Sequence, residues 1–132
     1  MQVFSDSLDK QRKRLKEFFA KYQKGEGKIA MFGAGHLACT FLNLLQLKDF
    51  IEFIVDDSPQ KQSLFMPGSR IPIYGSQALL EKNIKLCLLS LAPDKEEKII
   101  QNNKRFLENK GRFCSIFPGS KRFLHIFIER QR

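Results

Sequence analysis

The chain lacks any apolar run near the ~20 residues of a membrane-spanning helix, and its first residues lack the apolar core of a secretory leader. Cysteine is sparse: Cys39, Cys87 and Cys114 are an odd number at wide spacings, each among apolar neighbours. No disulfide framework or metal-ligand spacing follows, so they read as reduced core thiols of a cytoplasmic protein. Internal repeats and low-complexity linkers are missing too. Acidic residues are short in supply, 14 against 23 Lys and Arg, which leaves a net charge of +9. No RNA-binding aromatic motif, helix-turn-helix or zinc finger goes with that surplus, so nucleic acid is not the expected partner.

The surplus is terminal. Residues 1–28 carry eight basic and four acidic groups, residues 29–103 seven and eight, and residues 104–132 eight and two. What remains is the composition of one globular domain, 42% hydrophobic and 28% charged over 132 residues. Such a length supports a single core and is short for an enzyme that must hold both cofactor and substrate.

Ser5–Lys24 reads as a helix with apolar residues at Leu8, Leu15, Phe18, Phe19 and Tyr22, capped by Ser5, Asp6 or Ser7 and stopped by Gly25 and Gly27. Its basic cluster, Lys10 to Lys16, is either a solvated face or a surface for an acidic partner. Strand-like runs follow at Lys28–Phe32, Ile51–Val55, Ile71–Tyr74, Ile84–Leu91, Arg112–Phe117 and Phe123–Ile128. Helical stretches separate most of them: His36–Leu47 with Leu37, Phe41, Leu44 and Leu45 on its apolar side, Ser76–Asn83 with a serine cap, and Pro93–Asn109. Alternation of this kind, with strands apolar on both faces, predicts a single Rossmann-like α/β domain. The expected form is three layers and a mostly parallel sheet of five to six strands over residues 28–132, preceded by the separate helix 1–27.

The sharpest motif is Gly33-Ala34-Gly35-His36-Leu37-Ala38, lying between a strand and a helix. It is a G-x-G-x-x-A pattern, in which glycines allow the tight turn and a phosphate's approach to the helix start. Asp56, at the end of the next strand, falls where an acidic side chain meets ribose hydroxyls. A plainer explanation is that any such sheet needs small residues at its first turn. Gly33, Ala34, Gly35, His36 and Asp56 are therefore the candidate cofactor-binding residues. The loop after Val55 adds Lys61, Gln62 and Arg70, and the first helix adds Thr40 and Asn43, as candidate substrate contacts. Thr40 and Asn43 serve equally well as satisfiers of backbone groups. His36 has no partner named by the sequence, so no catalytic residue is assigned.

In sequence, Val55-Asp56 with Pro59, Lys61-Gln62, Pro67-Gly68 and Ile71-Pro72-Ile73, supported by Gly33-Ala34, Thr40, Leu42-Asn43, Gly111, Phe113 and Pro118, resembles one known family. It is the C-terminal domain of the sugar C-methyltransferases, and the likeness runs from about Lys28 to Pro118. The chain departs from that family at Leu37, Ser63, Ser69-Arg70 and Ala92-Pro93, where a lysine, a glycine, Thr-His and Trp-Asn are usual. The resemblance implies a domain that helps bind a nucleotide-sugar while a separate preceding domain holds S-adenosylmethionine, with a zinc-binding segment before that. The expected role is thus a stand-alone accessory domain that binds a nucleotide, a nucleotide-sugar or another phosphorylated molecule and is not catalytic alone. It would act with a separate methyltransferase or another carbohydrate-pathway enzyme. Two alternatives stay open: a small NAD(P)-dependent oxidoreductase or sugar-modifying enzyme with its site at His36, and a non-catalytic interaction scaffold. His125 and the Phe-rich tail read as a core strand or an edge strand for association, including association with a second copy.

Overall fold

Five apolar runs become five parallel strands in the computed structural model, which describes residues 2–62, 64–66 and 68–130 (2–7 as helical backbone only). They are β1 (Lys28–Phe32), β2 (Ile54–Val55), β3 (Ile73–Tyr74), β4 (Ile84–Leu89) and β5 (Arg112–Ser115), in the order β3-β2-β1-β4-β5. Parallel neighbours need crossovers; helices on the two faces of the sheet supply those from β1 to β2 and from β4 to β5, whereas the loop after Val55 carries the chain from β2 to β3. The helices are α1 (Gln2–Gly25), α2 (His36–Leu44), α3 (Ala78–Glu81), α4 (Pro93–Asn102), α5 (Lys104–Glu108) and α6 (Leu124–Arg130). The predicted Rossmann-like α/β architecture is the one observed.

Strand alternation divides the core in two. Ile29 and Met31 of β1, Leu86 and Leu88 of β4, Ile54 and Cys114 pack with Leu15 and Phe19 of α1, Ala38 and Leu42 of α2, and Leu124 and Ile128 of α6. Ala30, Phe32, Val55, Cys87 and Leu89 face the other way, toward Ala78 and Leu79 of α3, Phe106 of α5 and Ile99 of α4. The central strands are therefore apolar on both faces because both faces are covered. Cys87 and Cys114 lie on opposite sides of the sheet, both buried thiols.

Several elements differ from expectation, each for an identifiable reason. Residues 5–7 lie within α1, which begins at Gln2, so they are not its caps. Helix α2 ends at Leu44 and buries Ala38 and Leu42, with Leu45 beyond it, while Leu37 and Leu44 are 50% and 51% exposed. The apolar arc of this helix is wider than the side it buries, and the small Ala38 lets one part of that arc approach the sheet. Strand β2 is shorter than Ile51–Val55, although Glu52 N–H still bonds to Ile29 O and Phe53 O accepts from Met31 N–H. The cap of α3 is Gln77, with no side-chain bond, and Ser76 N–H instead donates to Asp57 Oδ1 at 3.0 Å.

The expected long helix 93–109 is broken at Asn103, whose φ of −125° and ψ of 37° divide α4 from α5. Its amide donates to Ile99 O at 2.8 Å, the local competition with helical bonding that asparagine invites. The largest correction concerns Phe123–Ile128, which is helix α6 and not a strand. Only Phe123 bridges to Ser115 of β5. Leu124 and Ile128 stand one helical turn apart and bury together, and Phe127 meets Phe18 of α1 edge-on with centroids 6.0 Å apart. A short run apolar on both faces suits either a covered strand or a buried helix, and packing on α1 decides for the helix.

Candidate functional site

Chain order places the crevice. From β1 the connection through α2 leads to β2 on one side, and the later return puts β4 on the other. The carboxyl ends of β1 and β4 therefore mark the point where the winding reverses, the usual ligand position in an open parallel sheet. A crevice of about 450 Å³ opens there, lined by Phe32, Gly33, Asp56, Asp57 and Ser58, and by Asp94, Lys95, Lys98 and Asn102 of α4.

The turn after β1 is built around Gly33. Its φ is +107°, and a Cβ at this position would stand 2.6 Å from Ser90 Oγ. Only glycine fits. The buried Ser90 hydroxyl lies 2.8 Å from both the Phe32 and Gly33 carbonyl oxygens and donates to either. Gly35 is different. Its backbone is extended at φ −105°, and no atom would meet a Cβ within 4 Å. The protein itself does not demand a glycine there. Gly35 is the N-cap of α2 and supplies no side-chain cap, so the helix start presents amide donors beside open space.

Asp56 is held by the protein on several sides. Oδ2 accepts the Ala34 N–H at 2.9 Å, Oδ1 accepts the Ser58 N–H at 2.9 Å, and Lys61 Nζ stands 3.8 Å from Oδ2. Gln62 Nε2 donates to the Asp56 carbonyl at 3.1 Å. Lys61 and Gln62 thus brace Asp56 and do not line the crevice.

His36, Thr40 and Asn43 recur along one exposed side of α2. His36 Nε2 lies 3.5 Å from Thr40 Oγ1, and Asn43 Nδ2 donates to Cys39 Sγ at 3.3 Å. A Cβ on Gly68 would come within 3.1 Å of Asn43 Nδ2, so the loop after β2 folds over this end of the helix. Arg70 is exposed in the left-handed region at φ 61°, where its N–H bonds to Met66 O. Pro67 and Ser63, which the sequence singled out, lie outside the described residues.

Gly33 and Asp56 are thus the sequence-named residues that line the crevice. Ala34, Gly35 and His36 form its neighbouring helix start, and Thr40, Asn43 and Arg70 stand apart from it. Lys95, Lys98 and Asn102 were missed. Their sequence signal was a lysine pair three apart, just after the proline that starts α4, together with an amide one turn further on. Among the described residues, no three His, Cys, Asp or Glu side chains gather as a metal would require, and no helix is long and apolar enough to cross a membrane.

A parallel sheet in this order with a glycine turn at the reversal defines a Rossmann-like α/β domain. One solved structure of similar fold is UDP-D-quinovosamine 4-dehydrogenase from Vibrio fischeri, with a TM-score of 0.54 and 19% identity over 79% of this chain and 84% of that one. The family is closer to hand: the model of the C-methyltransferase C-terminal domain matches residues 1–118, and the chain belongs to that family. C-methyltransferase NovU of Streptomyces niveus is 35% identical over 95 residues, 72% of this chain. The matched part is 20% of the length of that curated relative. The family match takes in α1 as well as the sheet, so it begins earlier than Lys28, and it stops before α6.

Proposed function

We propose that the domain binds a nucleotide-sugar, or a closely related phosphorylated ligand, in the crevice at the ends of β1, β2 and β4. The methyl donor would be held by a different domain or polypeptide. The observation that carries this reading is that Lys95 and Lys98 line the crevice while the uncapped start of α2 at the open Gly35 lies next to it. Membership in a C-methyltransferase domain family supports the sugar part of the proposal.

Each Asp56 oxygen holds one backbone amide and keeps lone-pair capacity for a further donor, so the residue can brace the turn and still meet a ligand hydroxyl. No catalytic residue is assigned.

Calorimetric titration with thymidine and uridine diphosphate sugars, NAD(H) and S-adenosylmethionine tests the proposal. Heat is expected with a nucleotide-sugar and not with the other two. The double variant Lys95→Glu/Lys98→Glu is expected to weaken that binding about tenfold or more, the scale of lost charge-assisted contacts. Silence toward every diphosphate sugar, or tight binding of NAD(H), overturns the reading. Binding of S-adenosylmethionine would overturn the division of labour.

A further inference from the structure

Strand β5 ends the sheet, and its outer edge is only partly covered. Ile116 N–H bonds inward to Leu89 O, while Ser115 N–H turns outward to Arg122 O. Alternation along a parallel ladder therefore turns the N–H and C=O of Phe113 outward too. Neither has a backbone partner among the described residues.

A groove of about 940 Å³ runs beside this edge, between α5 and α6. Its walls are apolar and only half covered: Leu107 is 39% exposed and Ile126 40%. Its rim is cationic. Lys110, Arg112 and Arg130 line it and make no ion pair with any described residue, whereas Glu26 is the one acidic lining residue.

We propose that this groove receives an extended acidic segment of a partner protein, which adds to β5 as a sixth strand. The unpaired Phe113 backbone calls for a strand, the apolar walls for alternate apolar side chains, and the cations for carboxylates between them. A second copy fits poorly, because its own groove and net charge of +9 carry the same sign. A nucleic acid would meet the charge and has no peptide backbone to pair with Phe113. The inference does not depend on what the crevice binds.

Selection of a random peptide library displayed on phage against the purified chain is the test. Enriched sequences are expected to alternate Asp or Glu with Val, Ile or aromatic residues. A synthetic peptide of the leading sequence should slow amide exchange at Phe113. The variant Arg112→Glu/Arg130→Glu changes two exposed side chains, keeps its circular dichroism, and should bind that peptide about tenfold or more weakly. A single-stranded DNA oligonucleotide should not displace it. Failure to enrich, enrichment without acidic residues, unchanged exchange at Phe113, equal binding by the variant, or displacement by DNA each overturns the proposal.

Discussion

The Asp56 carboxylate accepts the Ala34 N–H at 2.9 Å, a bond that spans the ends of two neighbouring strands. With Ser58 N–H on the other oxygen, one side chain fixes both loops at the mouth of the crevice. Replacement by alanine leaves two amides without acceptors in a part-buried place. Asp56→Ala is expected to lower stability by about 1–3 kcal/mol. Urea denaturation measures it, and a variant as stable as the parent would remove Asp56 from this bracing role.

The two glycines of the turn should respond oppositely to alanine. At Gly33 the positive φ and the Ser90 hydroxyl both oppose a methyl group, and Gly33→Ala should cost more than about 1 kcal/mol. At Gly35 the backbone is permissive and the space is empty, so Gly35→Ala should leave the thermal midpoint within a few degrees. A loss of nucleotide-sugar affinity in this second variant, with its stability unchanged, would place the ligand at the helix start. Equal affinity would move it elsewhere.

His125 makes stability depend on acidity. Burial and the nearby Arg14 cation push its imidazole below the ordinary 6.5, with Glu129 opposing, while Nδ1 is buried without a partner. The folded state therefore disfavours the protonated ring. This contribution to stability is complete above the unfolded value and is lost as pH falls through the lower folded value. Replacing His125 by Gln should flatten the fall in denaturation midpoint between roughly pH 7 and 5. An unchanged slope would assign the effect to other groups.

Burial also raises the Cys87 and Cys114 thiols far above their usual range, most strongly through desolvation. Neither should react with a thiol reagent until the domain opens, because the thiolate is the reacting form. Mass spectrometry after brief alkylation of the native chain should find both unmodified, and both modified in denaturant. Rapid labelling of the native protein would contradict their place in the core.

The strands were legible because apolar runs of parallel-sheet length, such as Ile84–Leu89, have few other uses. Their parallel direction followed from alternation with helices, whereas their order is seen only in the fold. Sequence was silent wherever one pattern suits two environments. Phe123–Ile128 satisfies both a strand and a helix, and only its contact with Phe18 distinguishes them. Leu37 and Leu44 look like core on a helix with a wide apolar arc, and the sheet's approach to Ala38 leaves them outside. Within the site, the glycine turn was readable from spacing, since Gly33 answers a local steric need. Lys95 and Lys98 were not, because their approach to Gly33 depends on how α4 crosses the sheet. Asp56 stood in the expected place, and its bonds to the Ala34 and Ser58 amides are visible only in the fold.

The two borders of the sheet are protected by different means. On the β3 side the chain closes its own border: Leu64 O accepts Ile73 N–H at 2.9 Å, and Phe65 pairs antiparallel with Pro72. On the β5 side charge does the guarding, since Arg112 and Arg130 oppose the cations of any identical border that approaches. Screening by salt would weaken that guard and leave the first intact. Concentrated salt should therefore promote self-assembly through one border alone, and with the other border closed such assembly stops at two copies.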